Sequence, residues 1–151
     1  MDQGVVIVTG GSKRIGREIC IRLSSMGYDV LVHHRNSPSE AEETAKIINS
    51  DGGTALTYQA DLSDLSSAEK LVDFAMENFG KLSGIVNNAS VFIHDDISSV
   101  SSESWDNHMT VNAKVPILLI SQMLKSLKNG ENASIVNICL LYTSPSPRDV
   151  E

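Results

Sequence analysis

Short runs of β-branched residues alternate along this chain with segments whose apolar residues recur at helical spacing. Val5-Val6-Ile7-Val8-Thr9 has no polar alternation and is bounded by glycines, the pattern of a strand buried on both faces. Ile15, Ile19, Leu23 and Met26 then mark a helix that Gly27 closes. The pattern predicts a second strand over Asp29–His33, a second helix over 39–49 and a third strand over Ala55–Tyr58. A third helix is predicted over 64–78, with Leu71, Phe74, Ala75 and Asn78 spaced for one face and Gly80 as its stop. Leu82–Val86 predicts a fourth strand, 103–128 one long helix, and Ala133–Ile138 a fifth strand. Strand–helix repetition of this kind implies parallel strands joined by right-handed helical crossovers, an α/β doubly wound parallel sheet.

Composition narrows the function classes. A length of 151 residues is one domain's worth of protein. Twelve Lys+Arg against nineteen Asp+Glu give a net charge of -7, and no local basic patch offsets it, so nucleic acid is not an expected partner. The two cysteines give neither a disulfide framework nor a CxxC metal spacing. No apolar run is long enough to span a membrane, and strand-like residues begin at Val5, where a signal peptide would still be running. The expectation is a soluble cytoplasmic domain that acts on a small molecule and binds no metal. His94-Asp95-Asp96 is read as a solvated loop, because consecutive loop residues rarely converge on one ion.

The chemistry concentrates in the first turn. The first strand runs directly into Thr9-Gly10-Gly11-Ser12-Lys13-Arg14-Ile15-Gly16. Glycines between a first strand and a helix let the backbone approach a pyrophosphate, and the helix N-terminus offers free N–H groups to it. The rival phosphate loop, GxxxxGK[ST], fails because Gly16 is followed by Arg17-Glu18. A turn needing glycine only for steric reasons is the remaining alternative. At the end of the second strand, where an NAD site carries an acidic residue, this chain has His33-His34-Arg35-Asn36-Ser37. A carboxylate would repel a 2′-phosphate, whereas a guanidinium pairs with it, and Arg14 can converge on the same group. NADP(H) is therefore the expected cofactor; a solvated basic loop is the alternative.

These residues resemble the short-chain dehydrogenase/reductase superfamily. The matching pieces are TGGSKRIG at 9–16, Asp61-Leu62, Asn87-Asn88-Ala89-Ser90, and Ser104-Trp105-Asp106 leading to Val111-Asn112-Ala113, in the family's order over residues 1–138. The resemblance implies a Rossmann fold, of which the chain carries the N-terminal five strands. It implies cofactor contacts from Gly10, Ser12, Lys13, Arg14, Ile15 and Gly16 in the first turn. Further contacts are implied for His34, Arg35 and Asn36 after the second strand, for Asp61 and Leu62 at the adenine, and for Asn88, Ala89 and Ser90. Asn112 would order a water in the proton relay. Arg14 where the family has a glycine, Ser90 in place of the glycine of NNAG, HHRNS after strand two, and Phe92 resemble the pteridine-reductase-like branch. There Phe92 would stack on a flat pterin ring, with Ser90 near the nicotinamide. A Phe92 that only fills core or lid space is the alternative.

The family's proton donor, the tyrosine of a YxxxK motif, has no match here. The positioning serine would fall at Leu140, and Tyr142 is followed four residues on by Ser146, with Pro145 between. Residues 139–151 instead resemble the in-frame translation of a transposase-based sequencing adapter, which makes 1–138 the NADP-binding portion and the rest a non-native tail. The expected function of the parent protein is NADP(H)-dependent reduction of a carbonyl or pterin C=N bond, the chain itself lacking the catalytic pair. Alternatives are a reductase acting on another carbonyl, such as a 3-oxoacyl thioester, and a non-catalytic dinucleotide-binding sensor. The broad apolar face of the long helix (Ile117, Leu118, Ile120, Met123, Leu124) corresponds to the family's subunit contact, so the resemblance implies a homo-oligomeric parent, a tetramer or dimer. Cys20 is read as a core residue, His108 as lacking a predictable partner, and Lys114 as no substitute for the missing lysine.

Overall fold

The computed structural model describes residues 3–128 and 130–139. Leu140, Tyr142, Ser146 and nearly all of the predicted tail lie outside the described residues. Five strands, β1 (Val5–Val8), β2 (Asp29–His34), β3 (Ala55–Gln59), β4 (Leu82–Asn87) and β5 (Ser134–Asn137), form one sheet in the order β3-β2-β1-β4-β5. Every pairing is parallel. The expected doubly wound α/β sheet is what forms.

β1 explains the layering. Val5 and Ile7 face a core closed by α3 (Leu65–Phe79) and α5 (Val115–Ser126), with Leu71, Leu119 and Met123. Val6 and Val8 face a second core built on α1 (Arg14–Ser25) and α2 (Pro38–Ser50), with Cys20, Ala41, Ala45 and Ile48. A strand covered on both sides has no polar face to show, hence the unbroken VVIV. β5, at the sheet edge, is exposed along its length.

Local signals set the element ends. Asp64 caps α3 by accepting from the Ser66 N–H at 3.1 Å, and Gly80 ends it at φ +74°. The buried stripe of α3 is Ala68, Leu71, Val72 and Ala75; Asn78, predicted on that face, is exposed and donates to the Phe74 carbonyl.

The single long helix predicted over 103–128 does not form. It is α4 (Ser102–Met109), a π-helical turn over Thr110–Lys114, and α5. Two features account for the break. Pro116 has no N–H to return to the Asn112 carbonyl four residues back. The Asn112 side chain is also committed sideways, accepting from the Val91 N–H and donating to the Val91 carbonyl, both at 2.8 Å. Of the predicted broad face only Met123 is buried, alongside Val115 and Leu119, while Ile117 and Leu124 are exposed.

Two outcomes test this packing. Leu71→Ala removes a side chain fully buried between α3 and the sheet and is expected to cost about 2–5 kcal/mol, read from the denaturant midpoint. Burial pushes the Cys20 thiol up to about 12, so a thiol reagent at neutral pH should label exposed Cys139 and leave Cys20 unmodified until the chain unfolds.

Candidate active site

The strand ends and the first turn enclose a cleft of about 470 Å³, within the range of small-molecule sites. All the residues singled out as cofactor contacts line it: Gly10, Ser12, Lys13, Arg14, Ile15 and Gly16; His34, Arg35 and Asn36; Asp61 and Leu62; Asn88, Ala89 and Ser90. Residues distant in sequence meet because every strand points its C-terminal end the same way. Asn112 and Phe92 do not line the cleft. Asn112 pins the loop after β4, and Phe92, 83% exposed, makes an edge contact with His108 at a centroid distance of 6.5 Å. His108, whose partner the sequence does not predict, lies 3.1 Å from the Ile93 carbonyl through Nε2. Among the described residues no cluster suited to a metal ion occurs.

The glycine turn is a close-packed crossing. A Cβ on Gly16 would meet the Gly10 carbonyl oxygen at 2.1 Å, and Gly10 itself sits at φ +63° beside Asn88. Asn88 locks the arrangement by donating from Nδ2 to the carbonyls of Thr9 (2.9 Å) and Gly10 (3.1 Å). On the far side, buried Thr44 reaches the Ser12 carbonyl at 3.0 Å and accepts from Arg17 Nε, also at 3.0 Å. Arg17 is closed by Glu43 at 2.7 Å. Arg17 and Thr44 escape a sequence reading because their partners lie on different elements.

Arg14 is the one non-glycine described residue with positive φ, at +53°. Side chains are disfavoured there by about 1–2 kcal/mol, so the turn stores strain to place an arginine at the cleft. Arg35 is held by Asp61, Nε to Oδ2 at 2.9 Å. The Asp61 carboxylate lies below its ordinary range because the Ser63 hydroxyl and N–H bond to it and Arg35 stands beside it. The sequence marked both residues as ligand contacts but not as partners.

The residues fit an anionic dinucleotide on two observations. The close glycine crossing, where a Cβ on Gly16 would strike the Gly10 backbone and Asn88, leads into the N-terminus of α1, whose first-turn N–H groups have no intrahelical partner. His34, in the cleft lining, has a buried Nδ1 with no hydrogen-bond partner, and burial holds its ring below the ordinary imidazole range. A neutral ring with an unused nitrogen is suited to a polar ligand group.

The short chain dehydrogenase family pattern matches residues 4–145, so the chain belongs to that family. A curated relative, a short-chain type dehydrogenase/reductase of Picea abies, is 36% identical over 153 residues, 95% of this chain and 56% of that protein. Glucose 1-dehydrogenase 2 of Bacillus subtilis is 33% identical, over 96% of this chain and 57% of that protein. Among solved structures, FolM Alternative dihydrofolate reductase 1 from Brucella suis, in complex with NADP, superposes with a TM-score of 0.84 at 37% identity. The match covers 89% of this chain and 56% of that one. The chain thus spans about half the length of the relatives it matches.

Replacing Arg14 tests the stored strain. Arg14→Gly should stabilise the chain by about 0.5–1 kcal/mol, the relief of positive φ less the entropy that glycine loses on folding. Denaturant unfolding reads the difference, and an unchanged or lower midpoint would contradict the strain assigned to Arg14.

Proposed function

We propose that this chain is the NADP(H)-holding portion of a short-chain reductase that reduces a carbonyl or a pterin C=N bond. The carrying observation is the basic end of β2. Arg35, with His34 and Asn36, stands in the cleft where an NAD site would present a carboxylate. When bound, the cofactor supplies the hydride. The first turn of α1 holds the pyrophosphate. Arg35 and Arg14 take the 2′-phosphate with His34 as a neutral donor, and Ser12, Lys13 and Ile15 complete that wall. Asp61 and Leu62 flank the adenine, while Gly10, Gly16, Asn88, Ala89 and Ser90 line the remaining length.

Arg35 has a second task in this reading. Its contact with Asp61 offsets a carboxylate that would otherwise repel the incoming phosphate. Ser90 and Phe92 face the substrate, and the 37% identity to FolM proteins supports the pteridine-reductase-like branch. Asn112 holds the loop carrying them and orders the relay water. No YxxxK follows β5 within these 151 residues, so the chain by itself is a cofactor binder without turnover. Exposed Trp105, Met109, Ile117 and Leu124, recurring at helical spacing over α4 and α5, form the subunit contact of a homo-oligomer.

Fluorescence titration tests the cofactor reading. NADPH should bind at least about tenfold tighter than NADH, and Arg35→Ala should erase most of that margin by removing a charge-assisted pair of about 1.5–3 kcal/mol. Equal or tighter NADH binding would overturn it. Oxidation of NADPH by the purified chain with a pterin or ketone would overturn the absence of turnover.

A further inference from the structure

His33 lies within the buried run of β2, a polar ring only 2% exposed. Gly10 donates its N–H to Nδ1 at 3.1 Å. An amide N–H can only donate, so Nδ1 carries no proton. The neutral ring must therefore bear its proton on Nε2, which lies 3.1 Å from the Ala60 carbonyl and donates to it. One tautomer satisfies both bonds, and a protonated ring would lose the first. The titratable groups facing the ring are His34 and Asp61, and burial dominates both, pushing the imidazole down to about 4.

The backbone of His33 adds a third tie, its carbonyl accepting from the Gly11 N–H at 2.9 Å. The N–H groups of Gly10 and Gly11 are thus both turned inward to one residue of β2. Ala60 immediately precedes Asp61, so the same ring also bonds to the segment after β3 that brings Asp61 to the cleft.

We propose that His33 is a positioning residue of the dinucleotide site, a neutral clamp that withdraws the Gly10 N–H from the ligand and registers the glycine turn against the Ala60–Asp61 wall. The consequence is selective presentation: with the Gly10 and Gly11 N–H groups turned inward, the N–H groups further along the turn and at the start of α1 are left to face the anion. This rests on the cofactor reading above, and it adds a residue that touches no ligand itself.

The test combines NMR of the ligand-free 151-residue chain with NADPH titration of variants. Nitrogen-correlated spectra of the wild type should show the Nε2–H tautomer of His33 at pH 7, with the Gly10 amide shifting together with the ring as the pH falls towards about 4. An Nδ1–H or charged ring at pH 7, or a Gly10 amide indifferent to the ring, would overturn the proposal whatever the chain binds. His33→Leu should weaken NADPH binding by about ten- to a hundredfold, since it leaves a buried donor and acceptor unpaired. His33→Asn, whose amide oxygen can stand where Nδ1 stands, should regain affinity over His33→Leu. His33→Gln, which reaches only towards Ala60, should regain stability without that affinity. Equal affinities across the wild type and the three variants would overturn the clamp. Failure of the wild type to bind NADPH would overturn the cofactor reading instead, leaving the tautomer measurement to decide the clamp's geometry.

Discussion

The crossing of Gly16 over the Gly10 carbonyl is the constraint on which the rest of this structure depends. The backbone comes so close there that a Cβ on Gly16 would stand 2.1 Å from the oxygen. Closeness of this kind survives only if the turn is held from outside, and it is held from three directions. Asn88 bonds to it from the end of β4, His33 from the end of β2, and Thr44 with Arg17 from the α1–α2 side. The central position of β1, covered on both faces, brings those holders within reach. The sheet order is therefore part of the site's chemistry.

Charge is distributed against the trend of the chain. A net charge of -7 surrounds a cleft edged by Lys13, Arg14 and Arg35. Two of these cations are already answered by carboxylates, Lys13 by Glu40 at 3.9 Å and Arg35 by Asp61 at 2.9 Å. Both pairs are solvent-accessible and contribute little to stability. Their effect is directional, since each holds a long side chain at the rim. Arg14 is placed by backbone strain, which fits the tendency of strained residues to gather at functional sites.

The other end of the cleft is governed by the π-helical turn. Asn112 spends both side-chain atoms on the Val91 backbone, and so ties the loop bearing Ser90 and Phe92 to the α4–α5 unit. Exposed Phe92, Ile97 and Trp105 cluster in sequence around that loop. These side chains give that side exposed apolar surface.

Hydrophobic period and glycine placement determined the fold class, the five strands and the order of the elements, because local spacing alone decides which residues can share a buried face. The residues of the cleft were legible through the family resemblance, and they meet because a parallel sheet carries every strand's C-terminal end to one edge. What remained hidden depends on partners far away in sequence. The break in the 103–128 helix needs Pro116 together with the reach of Asn112 to Val91. The Arg35–Asp61 pair needs β2 and β3 side by side. Asn78 looked internal by spacing and proved external, because the stripe on α3 turns through Val72. His33 read as the last residue of the second strand, its ring given no partner, until the packing of β2 enclosed it. Only the tertiary structure could make it a clamp, because a buried imidazole takes its tautomer from whichever groups the fold sets against its two nitrogens.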